Sequence, residues 1–526
     1  MAGSELLKNF VQQTWTGNKE IMLTKDRSIR ATRPLRQIWL GIVLSSATIL
    51  TGCGGGGGGS SCGSCTITTT DMGTLTAMSD TDTYTFKNAA SSLVLGISGQ
   101  SQTAATNVVQ ESTGTADTYW HFMPMGNDQY NVENMLTHQV LGILNASTST
   151  GAQALQYSDN STADHLWAFY LLTDGNYLIK NLNSGYYLQD DGSATTSSAT
   201  IDQGTRSNSV AGCNCQEWTI TSSGNAAYPA PLTVSGTGIY VHDPMLFQDP
   251  ITFKYWLYGT HNTLASSTDL STWTADNLAL NPIPSWVTTY SSTNDLWAPD
   301  VVYANGSYWQ YYSASGSGSE VSAIGLAKAA TPNSTAWTDE GKVIVSSNTS
   351  GYNAIDPSPI QDASGNWWIS FGSWFNGIYL MRLDNTTMLQ SASNTTLYHL
   401  AERNNGIEGS FIYYHNGYYY LFAAIDSCCS GTSSTYRTVV GRSASVTGPY
   451  LDRGGIDMLN GGGTIVVSSH SNIYGPGGAS LFTDTGSNGA ESLPTFVYHY
   501  YDGNNNGTPT LGINRLNFTS DGWPYI

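Results

Sequence analysis

Short runs of aromatic and apolar residues, each entered through a tight turn, dominate the second half of the chain. Examples are Lys254-Tyr255-Trp256-Leu257-Tyr258, Ser307-Tyr308-Trp309-Gln310-Tyr311-Tyr312, Asn366-Trp367-Trp368-Ile369-Ser370 and Tyr418-Tyr419-Tyr420-Leu421-Phe422. Turn pairs such as Asn305-Gly306, Ser364-Gly365 and Asn416-Gly417 precede them, and such pairs favour two-residue hairpins. The runs recur at roughly 50 to 60 residues, which predicts propeller blades, and the roughly 300 residues available suffice for five. The chain is therefore expected to be all-β.

The pattern in the first half has a different period. Lys87-Asn88, Glu133-Asn134 and Lys180-Asn181 stand in register, as do Gln110, Gln156 and Gln203, and Trp120, Trp167 and Trp218. Val94-Leu95-Gly96-Ile97 and Val140-Leu141-Gly142-Ile143 share one position, with Tyr187-Leu188 a diverged third copy. A period this long marks supersecondary units that bury their apolar faces only together. With the Gln216-Glu217-Trp218 triplet, residues 66–222 resemble the ricin-type β-trefoil. That resemblance implies core roles for the repeated Gln and Trp and a carbohydrate-binding function, with Asp190 and Asp191 near Tyr187 as a candidate third-repeat pocket.

The apolar run Ile38–Leu50 differs again. Arg27, Arg30, Arg33 and Arg36 precede it and Leu50-Thr51-Gly52-Cys53 closes it. At about 13 residues it is shorter than the ~20 needed to span a bilayer, and it suits a signal peptide. The closing tetrapeptide resembles a lipobox, with Cys53 as the lipidated residue. Residues 1–53 are thus expected to be a processed leader and 54–65 a Gly/Ser tether, giving an exported protein anchored in the outer membrane. Tyr228-Pro229-Ala230-Pro231 lies in a linker over 223–234, before a catalytic domain at 235–526.

Composition changes this picture in one respect. The net charge is −19, and the first 52 residues hold seven of the 19 Lys and Arg against three of the 38 Asp and Glu, so the acidity belongs to the remainder. Such a surface repels nucleic acid and accommodates a neutral substrate. An oxidising compartment favours disulfides among Cys62, Cys65, Cys213 and Cys215 over zinc, and adjacent Cys428 and Cys429 suit either a vicinal disulfide or two thiols.

Three acidic residues stand where apolar strands begin: Asp243 in Val241-His242-Asp243-Pro244, Asp356 in Asn353-Ala354-Ile355-Asp356-Pro357-Ser358, and Glu408 in Gly406-Ile407-Glu408-Gly409-Ser410-Phe411. At the inner ends of blades they would face one axial cavity. Partial burial and mutual repulsion there raise one pKa while leaving another group ionised, which makes acid and base from the same residue type.

In order along the chain, these acids and Leu296-Trp297-Ala298-Pro299-Asp300, Gly372-Ser373-Trp374-Phe375, Tyr436-Arg437, Gly461-Gly462-Gly463-Thr464, Gly475-Pro476-Gly477-Gly478, Tyr498-His499-Tyr500-Tyr501 and Asp521-Gly522-Trp523-Pro524 resemble glycoside hydrolase family 43, and within it the endo-α-1,5-L-arabinanases. The resemblance covers 235–526. It implies inversion, with Asp243 as general base, Glu408 as general acid and Asp356 tuning that acid, and a carboxyl separation of roughly 6.5 to 9.5 Å. It further implies arabinan contacts at Gly318, at Asn353, Ala354 and Ile355, and at Ser373, Trp374 and Phe375, with Trp297 and Trp374 as stacking platforms. No cofactor is expected for the chemistry. Many members hold a calcium near the axis with a histidine after Gly-Pro-Gly, where this chain has Gly478, leaving His499 as the alternative ligand. Two competing functions are an exo-acting arabinanase, β-xylosidase or α-L-arabinofuranosidase, and a non-catalytic surface lectin.

Overall fold

The computed structural model describes residues 71–190, 194–206 and 214–526. Expectations for the leader, for Cys53 and the tether, and for Asp191, Cys62, Cys65 and Cys213 lie outside the described residues.

The threefold repeat folds as a β-trefoil. Asp82–Asn88, Trp120–Pro124, Tyr130–Asn134, Trp167–Leu171, Tyr177–Asn181 and Trp218–Ala226 pair around a closed barrel. Three hairpins cap it, built from Val94–Ile97, Val140–Ile143 and Tyr187–Asp190 with their return strands. Each repeated marker has one structural task. Trp120, Trp167 and Trp218 are fully buried, and their indole N–H groups donate to the carbonyls of Leu95, Leu141 and Leu188 at 3.0, 2.9 and 3.1 Å. Asn88, Asn134 and Asn181 donate to the carbonyls of Cys215, Asp117 and Asp164. Gln156 donates to the carbonyls of Ser101 and Thr103, Gln203 to those of Ser147 and Ser149, and Gln110 to that of Ala194. Every glutamine thus ties its own repeat to another, and the buried amide finds acceptors that a lone copy would not supply.

A five-bladed propeller follows. Its innermost strands are Met245–Gln248, Trp297–Ala304, Ser358–Gln361, Ile407–His415 and Ile473–Asp484, which open blades 1 to 5 in order. The turn signals are used as expected: Asn305 and Gly306, then Asn416 and Gly417, all have positive φ, as a two-residue hairpin of this type requires. Apolar side chains from facing blades form a core between each neighbouring pair, from Trp256, Tyr258 and Tyr308 between blades 1 and 2 round to Leu257, Val497 and Leu511 between blades 5 and 1. Blade 5 has three strands of its own, and the segment before blade 1 runs beside its edge, where Leu232 N–H meets the Ile513 carbonyl and Leu511 N–H the Ile239 carbonyl. The ring is closed by chain from its opposite end.

Composition marks 223–234 as a linker, but its central residue is packed. Tyr228 is buried, donates to the Glu133 carboxylate at 2.7 Å, and lies in the apolar core shared by blades 4 and 5. Met123 and Val140 of the trefoil join the core between blades 3 and 4. The trefoil therefore rests on blade 4.

Candidate active site

Each innermost strand contributes one tripeptide to the axial cavity: Asp243-Pro244-Met245, Ala298-Pro299-Asp300, Asp356-Pro357-Ser358, Gly409-Ser410-Phe411 and Gly478-Ala479-Ser480. The first residue of each is left-handed, with φ of 48, 39, 56, 57 and 59°. Asp and Gly tolerate this region better than Ala does. The strand ladders shift register around these positions in blades 2, 4 and 5, and bulges of this kind re-aim side chains. Four of the turned N–H groups have identified partners. That of Asp243 donates to His499 Nδ1 at 3.1 Å, that of Ala298 to Thr260 Oγ1 at 2.9 Å, that of Asp356 to Ser313 Oγ at 3.0 Å, and that of Gly409 to Asp356 Oδ2 at 3.0 Å.

The three acids differ in surroundings. The Asp243 side chain is 30% exposed and accepts from Thr260 Oγ1 at 2.6 Å. Glu408 accepts from Ser373 Oγ on one oxygen and from the Tyr436 hydroxyl on the other, both at 2.6 Å. Burial pushes its pKa up; those two hydrogen bonds pull it down without cancelling the rise, and the charge of Asp243 adds to it. Asp356 is raised further, by burial first and then by repulsion from Glu408 and Asp243. Repulsion among these carboxyls thus adds to burial in disfavouring their ionised forms. Burial also holds the Tyr436 hydroxyl protonated, with the Glu408 charge adding to the effect, so it remains a donor. The arrangement sets a carboxyl partly open to solvent alongside one whose pKa burial raises, the pairing that acid–base hydrolysis requires.

The binding residues expected from the sequence fall into two groups. Ser373 touches Glu408 directly, and Trp374 is 44% exposed beside it, its ring packed over Gly406 and its backbone N–H donating to the Ile407 carbonyl. Trp297 is half-buried, with its indole N–H on Asp295, which His261 grips in turn. Gly318 is exposed in a loop and Phe375 is half-buried. Asn353, Ala354 and Ile355 are buried, and Asn353 Oδ1 accepts from Ser322 Oγ at 2.7 Å. In the trefoil, Asp190 is buried and accepts from the Ala194 N–H, which is a structural contact. Cys428 and Cys429 form a vicinal disulfide, and the Cys429 N–H donates to the Tyr501 hydroxyl.

Four functional partners were not assigned such roles from the sequence. Thr260 and His499 support Asp243 from 17 and 256 residues away, and Tyr436 reaches Glu408 from 28 residues on. Asp300 joins Asp243 and Asp356 in lining the axial cavity, its pKa raised well above the usual range by burial, whereas Glu408 stands beside that lining on Ser373 and Tyr436. The motif containing Tyr436 is legible, but its contact is not.

His242, Asp243 and His499 bring three donor atoms within 4.8 Å of one another. They do not fit calcium, which takes six to eight oxygen ligands. Two of the three donors are imidazoles. His499 Nδ1 accepts the Asp243 N–H, which places its proton on Nε2, and His242 Nε2 is paired with the Tyr501 hydroxyl at 2.9 Å. A Cβ at Gly478 would lie 2.7 Å from Asp243 Oδ1 and 2.9 Å from His499 Nδ1, so this position is packed against the acid–base site itself.

Comparison with known proteins agrees with this architecture. A family model described as glycosyl hydrolases family 43 matches residues 239–524, and one described as a ricin-type β-trefoil lectin domain-like family matches 74–157 and 163–238. The chain is 43% identical over 295 residues to an extracellular endo-α-(1→5)-L-arabinanase of Bacillus subtilis, covering 54% of this chain and 87% of the relative. Among solved structures it resembles an endo-arabinanase from Bacillus licheniformis, with 40% identity and a TM-score of 0.51 over 56% of this chain and all of the other. It also resembles an exo-1,5-α-L-arabinanase from a bovine ruminal metagenomic library, with 36% identity and a TM-score of 0.50, covering 54% and 96%.

Proposed function

We propose, for a chain that belongs to glycosyl hydrolases family 43, that it hydrolyses internal α-1,5-L-arabinofuranosidic bonds of arabinan with inversion. Asp243 removes a proton from the attacking water. Glu408 protonates the departing glycosidic oxygen from the other face, and Asp356 helps keep that acid in its protonated, neutral form for delivery. The observation that carries this reading is the contrast between the carboxyls: Asp243 is open to solvent, whereas Glu408 is clamped by Ser373 and Tyr436 with its pKa raised. Every proton movement uses side chains of the chain itself.

The endo mode follows the relatives that carry that activity by name, and the exo-acting relative gives the second reading. A digest of debranched arabinan separates them: mixed oligosaccharides at early times mean internal cleavage, and a single small product means attack from the end. Asp243→Ala and Glu408→Ala each lower the rate by about 10² or more with the fold intact, and near-normal cleavage by either variant defeats the assignment.

The trefoil is proposed to hold carbohydrate beside the hydrolase, raising the effective concentration of polymer at the site. Export is supported by the extracellular Bacillus relative. Lipidation of Cys53, and with it attachment to the outer membrane, is the corresponding proposal for the leader; a Cys53→Ser variant released from the membrane fraction is the expected result.

A further inference from the structure

The trefoil grips the blade that carries the acid. Its loop at Asp159–Ser161 meets two buried arginines of blade 4. Arg437 bonds to the Asp159 carboxylate, and Arg403 bonds to the Asp159 carbonyl, with its guanidinium 3.5 Å from the carboxylate. Asp426 completes the group, accepting from Arg437 Nε at 2.8 Å, and Ser161 Oγ bridges Arg403 Nε at 3.3 Å and Asp426 Oδ1 at 3.4 Å. Asp159, Arg403 and Arg437 are each 1–2% exposed at the side chain. Asp159 also accepts from His165 Nδ1 at 3.0 Å, and Arg437 reaches Asn131 of the trefoil at 3.2 Å.

These two arginines flank the acid machinery. Arg437 directly follows Tyr436, whose hydroxyl holds Glu408, and Arg403 anchors the loop that leads through Gly406, under Trp374, into Glu408. Buried guanidinium groups need full compensation. Asp159 and Asp426 sit directly on the guanidinium groups, with buried Asp452 and Glu133 acting from further off; without Asp159 each arginine loses a direct partner and shifts to recover hydrogen bonds. Each shift moves a segment that touches Glu408.

We propose that Asp159 of the trefoil is a positioning residue for the general acid, acting through Arg437 and Arg403 to set the Tyr436–Glu408 contact. On this account the trefoil is a built-in brace of the catalytic blade, in addition to any binding it performs. The inference rests on the reading of Glu408 as the acid.

The test compares full-length Asp159→Asn with Ser158→Ala, which removes a neutral hydroxyl that bonds to Asp452 at the same interface rather than to either arginine. Substrates are linear arabinan, whose leaving group needs a proton, and a dinitrophenyl arabinotrioside, whose leaving group does not. General-acid catalysis is worth about 10²–10⁴. Asp159→Asn is therefore expected to lower kcat on arabinan about tenfold or more at unchanged KM, while hydrolysis of the activated glycoside stays within about twofold. Ser158→Ala leaves the ratio of the two rates as in the wild type. Where Asp159→Asn does not fold, Ser161→Ala, a neutral deletion in the same loop, replaces it and shows the same dependence on leaving group at smaller amplitude. Equal loss on both substrates, no loss in a folded variant, or the same signature in Ser158→Ala overturns the proposal. A wild-type enzyme inactive on arabinan, or a Glu408→Ala variant with near-normal activity, overturns the functional reading instead.

Discussion

Removing the Tyr436 hydroxyl tests how the acid is tuned. In Tyr436→Phe, Glu408 keeps the Ser373 contact at 2.6 Å and loses the other of equal length. A hydrogen bond to a charged group is worth about 1.5–3 kcal/mol, and one pKa unit corresponds to about 1.4 kcal/mol. The lost bond stabilised the ionised form, so the already raised pKa of Glu408 rises by a further one to two units or so. Because the acid must be protonated to act, the alkaline limb of the kcat profile moves upward by about that amount. At the optimum kcat falls about tenfold, because a carboxyl fixed at one oxygen is less well aimed. The assay is kcat on linear arabinan from about pH 4 to 10 by release of reducing ends. An alkaline limb that stays still or moves downward refutes the reasoning.

Asp356→Asn separates stability from catalysis. A carboxyl whose folded pKa is raised contributes stability that is complete below its unfolded value, near ~4, and lost as pH rises through the folded value. An amide carries no such dependence and tolerates the left-handed φ of 56°, so the variant melts higher than the wild type at pH 8, equally at pH 4, and loses activity at both; an unchanged difference across pH rejects this. Trp374→Ala, which strips an exposed ring from beside Glu408, raises KM for arabinan about three- to tenfold, as befits a stacking contact of ~0.5–1.5 kcal/mol, with kcat the less affected; an unchanged KM assigns the ring to packing alone.

The parts of the molecule legible in the sequence are those that repeat or that follow a local rule. The trefoil is visible because its Trp, Asn and Gln each meet the same need three times. The blades are visible because Asn-Gly hairpins and aromatic strands are written in consecutive residues. Asp243 and Asp356 are visible because a carboxylate before proline at a strand start is locally unusual, and Glu408 because it interrupts an apolar strand start between Ile407 and Gly409. What connects these parts is a matter of chain closure. Thr260, His499 and Tyr436 carry no local mark of a partner on another strand or blade, and the Asp159–Arg437 pair spans 278 residues. Tyr228 illustrates the limit: flanking Pro and Ala give the composition of a linker, whereas burial against Glu133 and His470 is decided by surfaces far off in sequence.

The ring is sealed by its two ends, with 232–239 lying along the edge of Thr508–Arg515 and the backbone of Asp243 held by His499. During synthesis, blade 1 emerges with its carboxylate unsupported and waits for more than 250 residues before that histidine arrives. With Asp243 as the proposed base, hydrolysis is expected only once the final blade has been delivered, so that competence would report that the circle is complete.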